Sequence, residues 1–174
     1  GQLQMRKGVL EFIDLATKMP EIQFVWAGNF AFKGISEGRK EIMEHMDDLP
    51  DNVHFLGLVE RDRMNEFFNM GDVMLQLSFE ELFPMTILES MNANIPLLLR
   101  DLPEYKPILF DYYLKANSQQ TFKDELTKLK EDADYYAKAC EGSKRGEQFY
   151  SKESILEQWQ QFYDKVATER NLLS

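Results

Sequence analysis

The chain contains five short apolar runs, each closed by glycine or by polar residues. They occupy residues 23–27, 53–56, 73–77, 95–99 and 112–116, and the last is the weakest. Nearly continuous apolar runs of this length are typical of strands that are buried on both faces, as in a parallel sheet. We therefore predict five parallel strands.

Between these runs, apolar residues recur every three or four positions, which is the period of an α-helix. The helical faces are Val9, Phe12, Ile13, Ala16 and Met19, then Met64, Phe67 and Phe68, then Ile87, Leu88 and Met91. Strands that alternate with helices predict an α/β fold with a doubly wound, Rossmann-like parallel sheet. We assign this core to residues 1–117.

Residues 118–174 show helical patterns and no strand pattern, so we expect a helical C-terminal extension that packs on the same domain. We expect breaks near Glu131 and at Gly142 and Gly146, because glycine disfavours helix interiors. Ser151 with Ser154 is a candidate cap for the last helix. The apolar face of that helix is formed by Ile155, Trp159, Phe162 and Val166.

The first residues have the pattern of a turn that follows a strand. Doubly wound domains open with a strand that leads into a glycine turn. Here the turn Gly1-Gln2 comes first. We therefore expect a strand before Gly1 and expect this chain to be about half of a longer protein.

The charge of the chain narrows its possible partners. It has 30 acidic and 20 basic residues among 174, a formal net charge of -10. Such a domain repels phosphate backbones and anionic lipid, so nucleic acid is not an expected partner. No apolar run approaches the roughly 20 residues that span a bilayer. Cys140 is the single cysteine, which excludes an internal disulfide and indicates a reduced, cytoplasmic protein.

The stretch from Leu77 to Met91 carries the candidate chemistry. A strand ends near Leu77, a loop follows, and Pro84 can occupy the first turn of a helix. The free N–H groups of Met85 and Thr86 would then face the crevice at the carboxyl ends of the strands, where a diphosphate can bind. Glu81 and Glu89 flank this turn, and carboxylates accept hydrogen bonds from sugar hydroxyls.

Glu81-x7-Glu89, followed by residues 91–96, resembles the E-x7-E motif of the retaining GT-B glycosyltransferase family that contains glycogen synthases and bacterial glycolipid enzymes. Residues 1–8 (GQLQMRKG) are similar to the family's opening G-R…K-G, and residues 52–57 resemble its V-x-F-x-G strand. The resemblance covers residues 1 to about 116. It implies that the chain is the donor-binding half of a GT-B fold.

The resemblance also implies roles for individual residues. Lys7 would neutralise the donor diphosphate, Glu81 would hold the donor sugar, and Glu89 would bind the ribose. The donor contacts that it implies are Lys7, Arg6, Leu58, Val59, Phe83, Met85, Thr86 and Glu89, with Glu81 and Lys7 as catalytic residues. Gln2 replaces the arginine that is usual in the family, and Arg6 is the candidate to compensate.

The same resemblance implies a UDP-hexose donor and an acceptor such as diacylglycerol or glycosyl-diacylglycerol. LFPMTILES and LLLRDLPEY resemble bacterial enzymes with those acceptors. The acceptor would bind an N-terminal domain outside this chain, which would also make any contact with the inner face of the membrane. No cofactor or metal is expected: the D-x-D string at Asp132 lies in the helical extension, far from the candidate site.

Two alternatives remain open at this stage. One is another GT-B enzyme, a nucleotide-sugar epimerase or a phosphorylase. The other is a non-enzymatic, flavodoxin-like receiver module. A receiver needs an aspartate at the end of its third strand, and residues 55–57 read Phe-Leu-Gly, which counts against it.

Overall fold

The computed structural model describes residues 1–30, 38–82 and 85–171. The strands in these ranges are β1 (Phe24–Ala27), β2 (Val53–Gly57), β3 (Met74–Gln76), β4 (Leu97–Arg100) and β5 (Leu114–Ala116). β1 pairs with β2, and β3, β4 and β5 form a second sheet in that order. Every strand pair is parallel. The prediction of an α/β fold with five parallel strands is therefore confirmed.

The α-helices of the described residues alternate with the strands and then continue alone to the C-terminus. They are α1 (Val9–Thr17), α2 (Arg39–Met46), α3 (Met64–Met70), α4 (Met85–Asn92), α5 (Lys106–Leu109), α6 (Gln119–Glu131), α7 (Ala133–Phe149) and α8 (Lys152–Asn171). Short 3-10 helices precede α1 (Met5–Lys7), α3 (Arg61–Arg63) and α5 (Pro103–Tyr105).

The strand β4 is buried on both faces and separates two hydrophobic clusters. Leu98 points into the cluster that contains α1, whereas Leu97 and Leu99 point into the cluster that contains Ile87 and Met91 of α4. All five side chains are at most 1% exposed. Alternate residues of a strand face opposite sides of a sheet, so two helical layers explain the continuous apolar run.

The helical extension begins with two capped helices that pack on the core. Ser118 and Thr121 form a capping box at the start of α6. The chain then breaks at Asp132, as the sequence predicted near Glu131, and Asp132 Oδ1 accepts a hydrogen bond of 2.9 Å from the Tyr135 N–H. α6 lies against α1, and α7 lies against α4 and α6.

The predicted breaks at Gly142 and Gly146 are wrong, because α7 runs without interruption through both positions. The two glycines are buried on one face of the helix. A Cβ on Gly142 would lie 3.2 Å from the Tyr112 carbonyl oxygen, and one on Gly146 would lie 2.6 Å from Met91 Cε. These glycines bring α7 close to its neighbours rather than ending it.

The last helix, α8, begins at the predicted serine cap, where the Ser154 N–H donates to Ser151 Oγ at 3.2 Å. It lies against α7 at its start. Its rings Trp159 and Phe162 contact each other with centroids 5.9 Å apart, and each is about half exposed, at 53% and 54%. No helix among residues 1–30, 38–82 and 85–171 is long and apolar enough to cross a membrane.

A groove of about 780 Å³ lies between the two sheets. Residues of β1 and β3 line it, with Phe68 of α3 and Leu126 of α6 among the other side chains. Within the described ranges, β1 pairs only with β2, and β3 pairs only with β4. Each of these two strands therefore has one unpaired edge.

Candidate functional site

The first eight residues are fastened to the loop that follows β3. The Phe79 N–H donates to the Arg6 carbonyl at 2.8 Å. Gly8 has φ +73°, and a Cβ there would lie 2.6 Å from the Leu77 carbonyl oxygen. Because L-residues rarely adopt this conformation, and because a side chain would collide with backbone, glycine permits the close approach. The 3-10 helix Met5–Lys7 thereby lies against the carboxyl end of β3.

This arrangement joins the two residues that the sequence predicts as catalytic. Lys7 Nζ donates to Glu81 Oε1 in an ion pair between positions 74 residues apart. The side chains are only 18% and 8% exposed, respectively. Partial burial strengthens the attraction between the two charges, because there is less water to screen them. A lysine ammonium carries three N–H donors, so Lys7 can bond Glu81 and an anionic ligand together.

The helix α4 begins beside this pair, at Met85. Its buried side chains Ile87 and Met91 anchor it in the core, and Ser90 Oγ donates to the Thr86 carbonyl at 2.6 Å. Met85 is 62% exposed and Thr86 is half-buried. The first residues of α4 therefore lie at the protein surface. Phe83, a predicted donor contact, lies outside the described residues.

Glu89, the residue predicted to bind the ribose, lies on the exposed side of α4. Glu89 is an exposed residue, whereas Ser90 beside it is fully buried. No hydrogen bond or ion pair joins Glu89 to the Lys7–Glu81 pair in the part of the chain that the structure describes. Glu89 thus keeps its carboxylate available to a ligand, at a separate point from Glu81.

The remaining predicted contacts lie on other elements, at or near the protein surface. Arg6 is exposed, and its guanidinium reaches the Glu80 carbonyl at 3.5 Å. Leu58 is 78% exposed directly after β2, and Val59 next to it is half-buried. Gln2, which stands where the family has arginine, is also exposed. None of these residues bonds to Glu81 in the described ranges.

Three residues at the site were not predicted: Gln76, Tyr105 and Arg100. Gln76 Nε2 donates to Glu81 Oε1 at 2.9 Å and to Tyr105 Oη at 3.2 Å. Arg100 Nε donates to the Leu77 carbonyl at 3.0 Å, and its guanidinium lies 4.0 Å from the ring centroid of Phe79. Of these three, Gln76 could have been found from the sequence, because it is a polar residue inside an apolar run, at the end of β3.

A metal site is not formed by the residues that the structure describes, since no three histidine, cysteine, aspartate or glutamate side chains cluster there. Asp132 of the D-x-D string instead caps α7 through the Tyr135 N–H. The positive groups at the crevice include Lys7, Arg6 and the N-terminal end of α4, and the Arg100 guanidinium lies nearby against Phe79. Together they suit a ligand with a polyanionic centre.

A parallel sheet with helices on both faces, and with these charged groups at the carboxyl ends of its strands, defines a Rossmann-like domain of the GT-B type. The comparisons with known proteins agree. The family model of glycosyl transferases group 1 matches residues 1–146, and the chain belongs to this family. The receiver alternative is thereby excluded, and the identification of a glycosyltransferase domain is confirmed.

Two curated relatives are similar over most of the chain. The alpha-galactosylglucosyldiacylglycerol synthase of Streptococcus pneumoniae is 38% identical over 167 residues, which are 96% of this chain and 45% of that protein. The processive diacylglycerol alpha-glucosyltransferase of Acholeplasma laidlawii is 30% identical over 131 residues, which are 74% and 39% of the two chains. The chain thus spans less than half the length of these relatives.

Solved structures share the fold at low sequence identity. Anabaena HepE in complex with UDP-glucose has a TM-score of 0.75 at 15% identity, over 97% of this chain and 47% of that one. The C-terminal domain of a glycosyl transferase group 1 protein from Francisella tularensis has a TM-score of 0.69 at 20% identity, over 89% and 84%. Most of this chain therefore shares its fold with a single C-terminal domain of such a protein.

Proposed function

We propose that this chain is the nucleotide-sugar-binding domain of a retaining hexosyltransferase and that its donor is a UDP-hexose. The observation that carries the proposal is the Lys7–Glu81 ion pair at the carboxyl ends of the strands, next to the start of α4. A cation and a helix N-terminus suit a diphosphate, and the neighbouring carboxylate suits sugar hydroxyls. The shared fold with a protein solved with UDP-glucose supports the choice of donor.

The proposed contacts assign to each residue the role that the family resemblance implies, and the positions of the described residues support them. Lys7, Arg6 and the N–H groups of Met85 and Thr86 face the diphosphate. Glu81 holds the donor sugar, and Glu89 accepts hydrogen bonds from the ribose on the exposed side of α4. Leu58 and Val59, directly after β2, border the base together with Phe83.

The proposed chemistry is departure of the nucleoside diphosphate from the anomeric carbon. Negative charge builds on the leaving phosphate oxygen while the anomeric carbon becomes cationic. A lysine and oriented N–H groups that already point at the phosphates stabilise that charge without reorganising. Glu81, fixed beside the sugar, keeps the ring in a reactive position.

The acceptor that we propose is diacylglycerol or glycosyl-diacylglycerol. Both curated relatives carry diacylglycerol in their names, and the resemblance of LFPMTILES to glycolipid enzymes agrees with them. The acceptor would bind an N-terminal domain of the same polypeptide. The whole enzyme would then be a cytoplasmic protein that is peripheral at the inner face of the membrane, and this acidic domain would face away from anionic lipid.

Titration calorimetry of this chain with UDP, GDP, ADP and their hexose derivatives tests the donor assignment. We expect UDP and UDP-hexoses to bind more tightly than the guanine and adenine nucleotides. Binding of none of them by the folded chain would contradict the proposal. We also expect no sugar transfer to lipid by this chain alone, and detectable transfer would show that the acceptor site lies within it.

Product analysis with the full-length polypeptide tests the reaction. A glycosylated lipid whose new linkage keeps the donor's anomeric configuration is the expected product. Release of an epimerised nucleotide sugar, or of a sugar phosphate, would instead identify the epimerase or the phosphorylase alternative.

A further inference from the structure

The carboxylate of Glu81 belongs to a network of hydrogen bonds with two buried side chains, Gln76 and Tyr105. Gln76 donates to Glu81 at 2.9 Å, and the same amide nitrogen donates to the Tyr105 hydroxyl at 3.2 Å. Gln76 is 9% exposed and Tyr105 is 1% exposed. Burying an amide is costly unless it forms hydrogen bonds, so these two bonds are what stabilise Gln76 in this position.

The orientation of the Gln76 amide follows from the charge of Glu81. An amide nitrogen carries two N–H donors, and both are used, one toward Glu81 and one toward Tyr105. The reverse orientation would place the amide oxygen against a carboxylate oxygen. Burial, and next the charge of Glu81, raise the pKa of Tyr105, so its hydroxyl stays neutral and can accept the second N–H.

Lys7 and Gln76 both donate to the same oxygen, Oε1 of Glu81. Across the described ranges, the other oxygen, Oε2, accepts no hydrogen bond. Two donors that approach one oxygen from different elements fix the plane of the carboxylate. The second oxygen is then the one that can receive a ligand hydroxyl.

We propose that Gln76 is a positioning residue that, held by Tyr105, fixes the Glu81 carboxylate for the donor sugar. This inference rests on the proposed role of Glu81. Lys7 alone cannot set the orientation, because an ammonium on a flexible stem forms an undirected charge contact. The planar amide of Gln76, clamped at its other side by a buried phenol, supplies the direction.

The first experiment measures steady-state kinetics of the full-length enzyme with Gln76→Leu. A hydrogen bond to a charged group corresponds to roughly ten- to a hundredfold in rate, so kcat should fall by about that factor. The KM for the donor should change little, because the diphosphate contacts remain. Tyr105→Phe should lower kcat in the same direction but less.

The matched control is Gln120→Leu, which removes an exposed amide that donates to Asp124 at 2.7 Å on α6. It should keep normal kinetics. Melting curves accompany every variant. A Gln76→Leu enzyme that melts early but keeps normal kcat would overturn the proposal and leave Gln76 a structural residue.

The second experiment uses Gln76→Glu, which keeps the shape and places a second carboxylate beside Glu81. Two carboxylates at this distance repel each other, which raises the pair's upper pKa relative to that of Glu81 beside the neutral amide, while the Lys7 ammonium and the neutral Tyr105 hydroxyl are the same in both enzymes. The turnover of Gln76→Glu should therefore rise as the pH falls through that raised pKa, because the proton restores a donor toward Glu81. Wild-type enzyme should show no such rise. A profile parallel to that of the wild type would overturn the proposal.

The double variant separates this inference from the proposed function. If Gln76 acts through Glu81, adding Gln76→Leu to Glu81→Gln should lower kcat no further. Full turnover by Glu81→Gln alone would refute the role of Glu81 itself. Lost turnover by Glu81→Gln with normal turnover by Gln76→Leu would refute the positioning role only.

Discussion

At the scale of single residues, the Lys7–Glu81 ion pair makes the two motif glutamates distinguishable. Glu81 is held inside the crevice, whereas Glu89 lies exposed on α4. Contacts to the reacting sugar affect turnover. Contacts to the nucleotide that are equally strong in the ground state and in the transition state affect donor binding. Substitution of each residue should therefore change a different kinetic constant.

We predict that Glu81→Gln lowers kcat of the full-length enzyme roughly ten- to a hundredfold while UDP affinity stays nearly intact. Glu89→Ala should instead weaken UDP itself by a similar factor and raise the KM for the donor. Calorimetry with UDP and steady-state kinetics measure both. If Glu81→Gln only melts earlier and turns over normally, its carboxylate serves stability alone, and unchanged UDP affinity in Glu89→Ala would refute the ribose contact.

Asn52 is a second residue whose substitution has a defined outcome, in this case on stability. Its Nδ2 contacts the carbonyls of Ala16 and Met19 at 3.0 Å and of Ile22 at 2.8 Å, and the residue is 4% exposed. Asn52→Ala removes all three contacts and takes the Asn52 donor from the Ile22 carbonyl, while the Ala16 and Met19 carbonyls keep the backbone N–H groups of Met19 and Ile22. We predict a loss of about 1–3 kcal/mol in the free energy of unfolding, measured in urea.

The matched control for Asn52 is Asn69→Ala, which removes an exposed amide that donates within α3. It should change stability by less than about 0.5 kcal/mol. UDP affinity should be normal in both variants. Equal stability of the two would mean that water replaces the Asn52 contacts after substitution.

At this scale, the charged residues of the site were predictable from the sequence, whereas the residues that hold them in place through hydrogen bonds were not. Glu81 and Lys7 were predicted from a motif resemblance, although they are 74 positions apart. Gln76 was not predicted, although it is a polar residue in an apolar run, and its partner Tyr105 is 29 positions away. A contact between distant residues with no motif has no signature in one sequence, because the fold alone brings them together.

At the scale of secondary structure, the strands and the first helices were predictable because each follows a regular period. The glycines of α7 were not. Glycine is unfavourable within a helix by about 1 kcal/mol, so Gly142 and Gly146 suggested breaks. What favours them is the nearness of Tyr112 and Met91, which a single helix pattern does not reveal.

We predict that Gly146→Ala destabilises the protein, although alanine is the better helix former. The new methyl group would lie 2.6 Å from Cε and 2.8 Å from Sδ of Met91, which is fully buried, and 3.1 Å from Cδ2 of Tyr112, so more than the tip of one side chain has to move. Overpacking typically costs about 1–3 kcal/mol, which at least matches the gain of about 1 kcal/mol from helix propensity and over most of the range exceeds it. Thermal melting and urea unfolding measure the difference.

Gly71→Ala is the matched control for this substitution. Gly71 has a negative φ of -97°, and the nearest atom to an added Cβ is 3.9 Å away. This variant should be neutral, or more stable by up to about 1 kcal/mol. If Gly146→Ala were as stable as Gly71→Ala, α7 and α4 would have room to separate, and close packing would not explain the glycine.

At the scale of the whole molecule, the parallel sheet is divided into two parts that face each other across the groove. The Phe24 N–H bonds toward β2 and the Met74 N–H bonds toward β4. In a strand, the backbone groups of alternate residues point to opposite edges, so those of Val25 and Leu75 point into the groove. Sequence periodicity predicts β1 and β3 as strands, but it does not predict that a groove separates the unpaired edges of the two.

We expect a segment of polypeptide outside residues 1–174 to occupy this groove. The groove is lined mostly by apolar side chains, and the Gly1 nitrogen donates to the Ala27 carbonyl at the carboxyl end of β1. The relatives are more than twice as long as the matched region, and a polypeptide of that length has residues from which a further strand can be supplied. A parallel strand that ends at Gly1 would pair with β1 and β3 together and make one continuous sheet.

We predict that in the full-length polypeptide the amides of Val25 and Leu75 exchange with solvent as slowly as those of Phe24 and Met74. The reason is that an amide in a central strand is released only by large-scale unfolding, whereas an amide at a free edge exchanges readily. Hydrogen exchange of the full-length protein measures all four, with Phe24 and Met74 as internal controls because both already bond within a sheet. Fast exchange at Val25 and Leu75 would contradict the inserted strand. Protection that depends on protein concentration would assign the groove to a second copy of the chain.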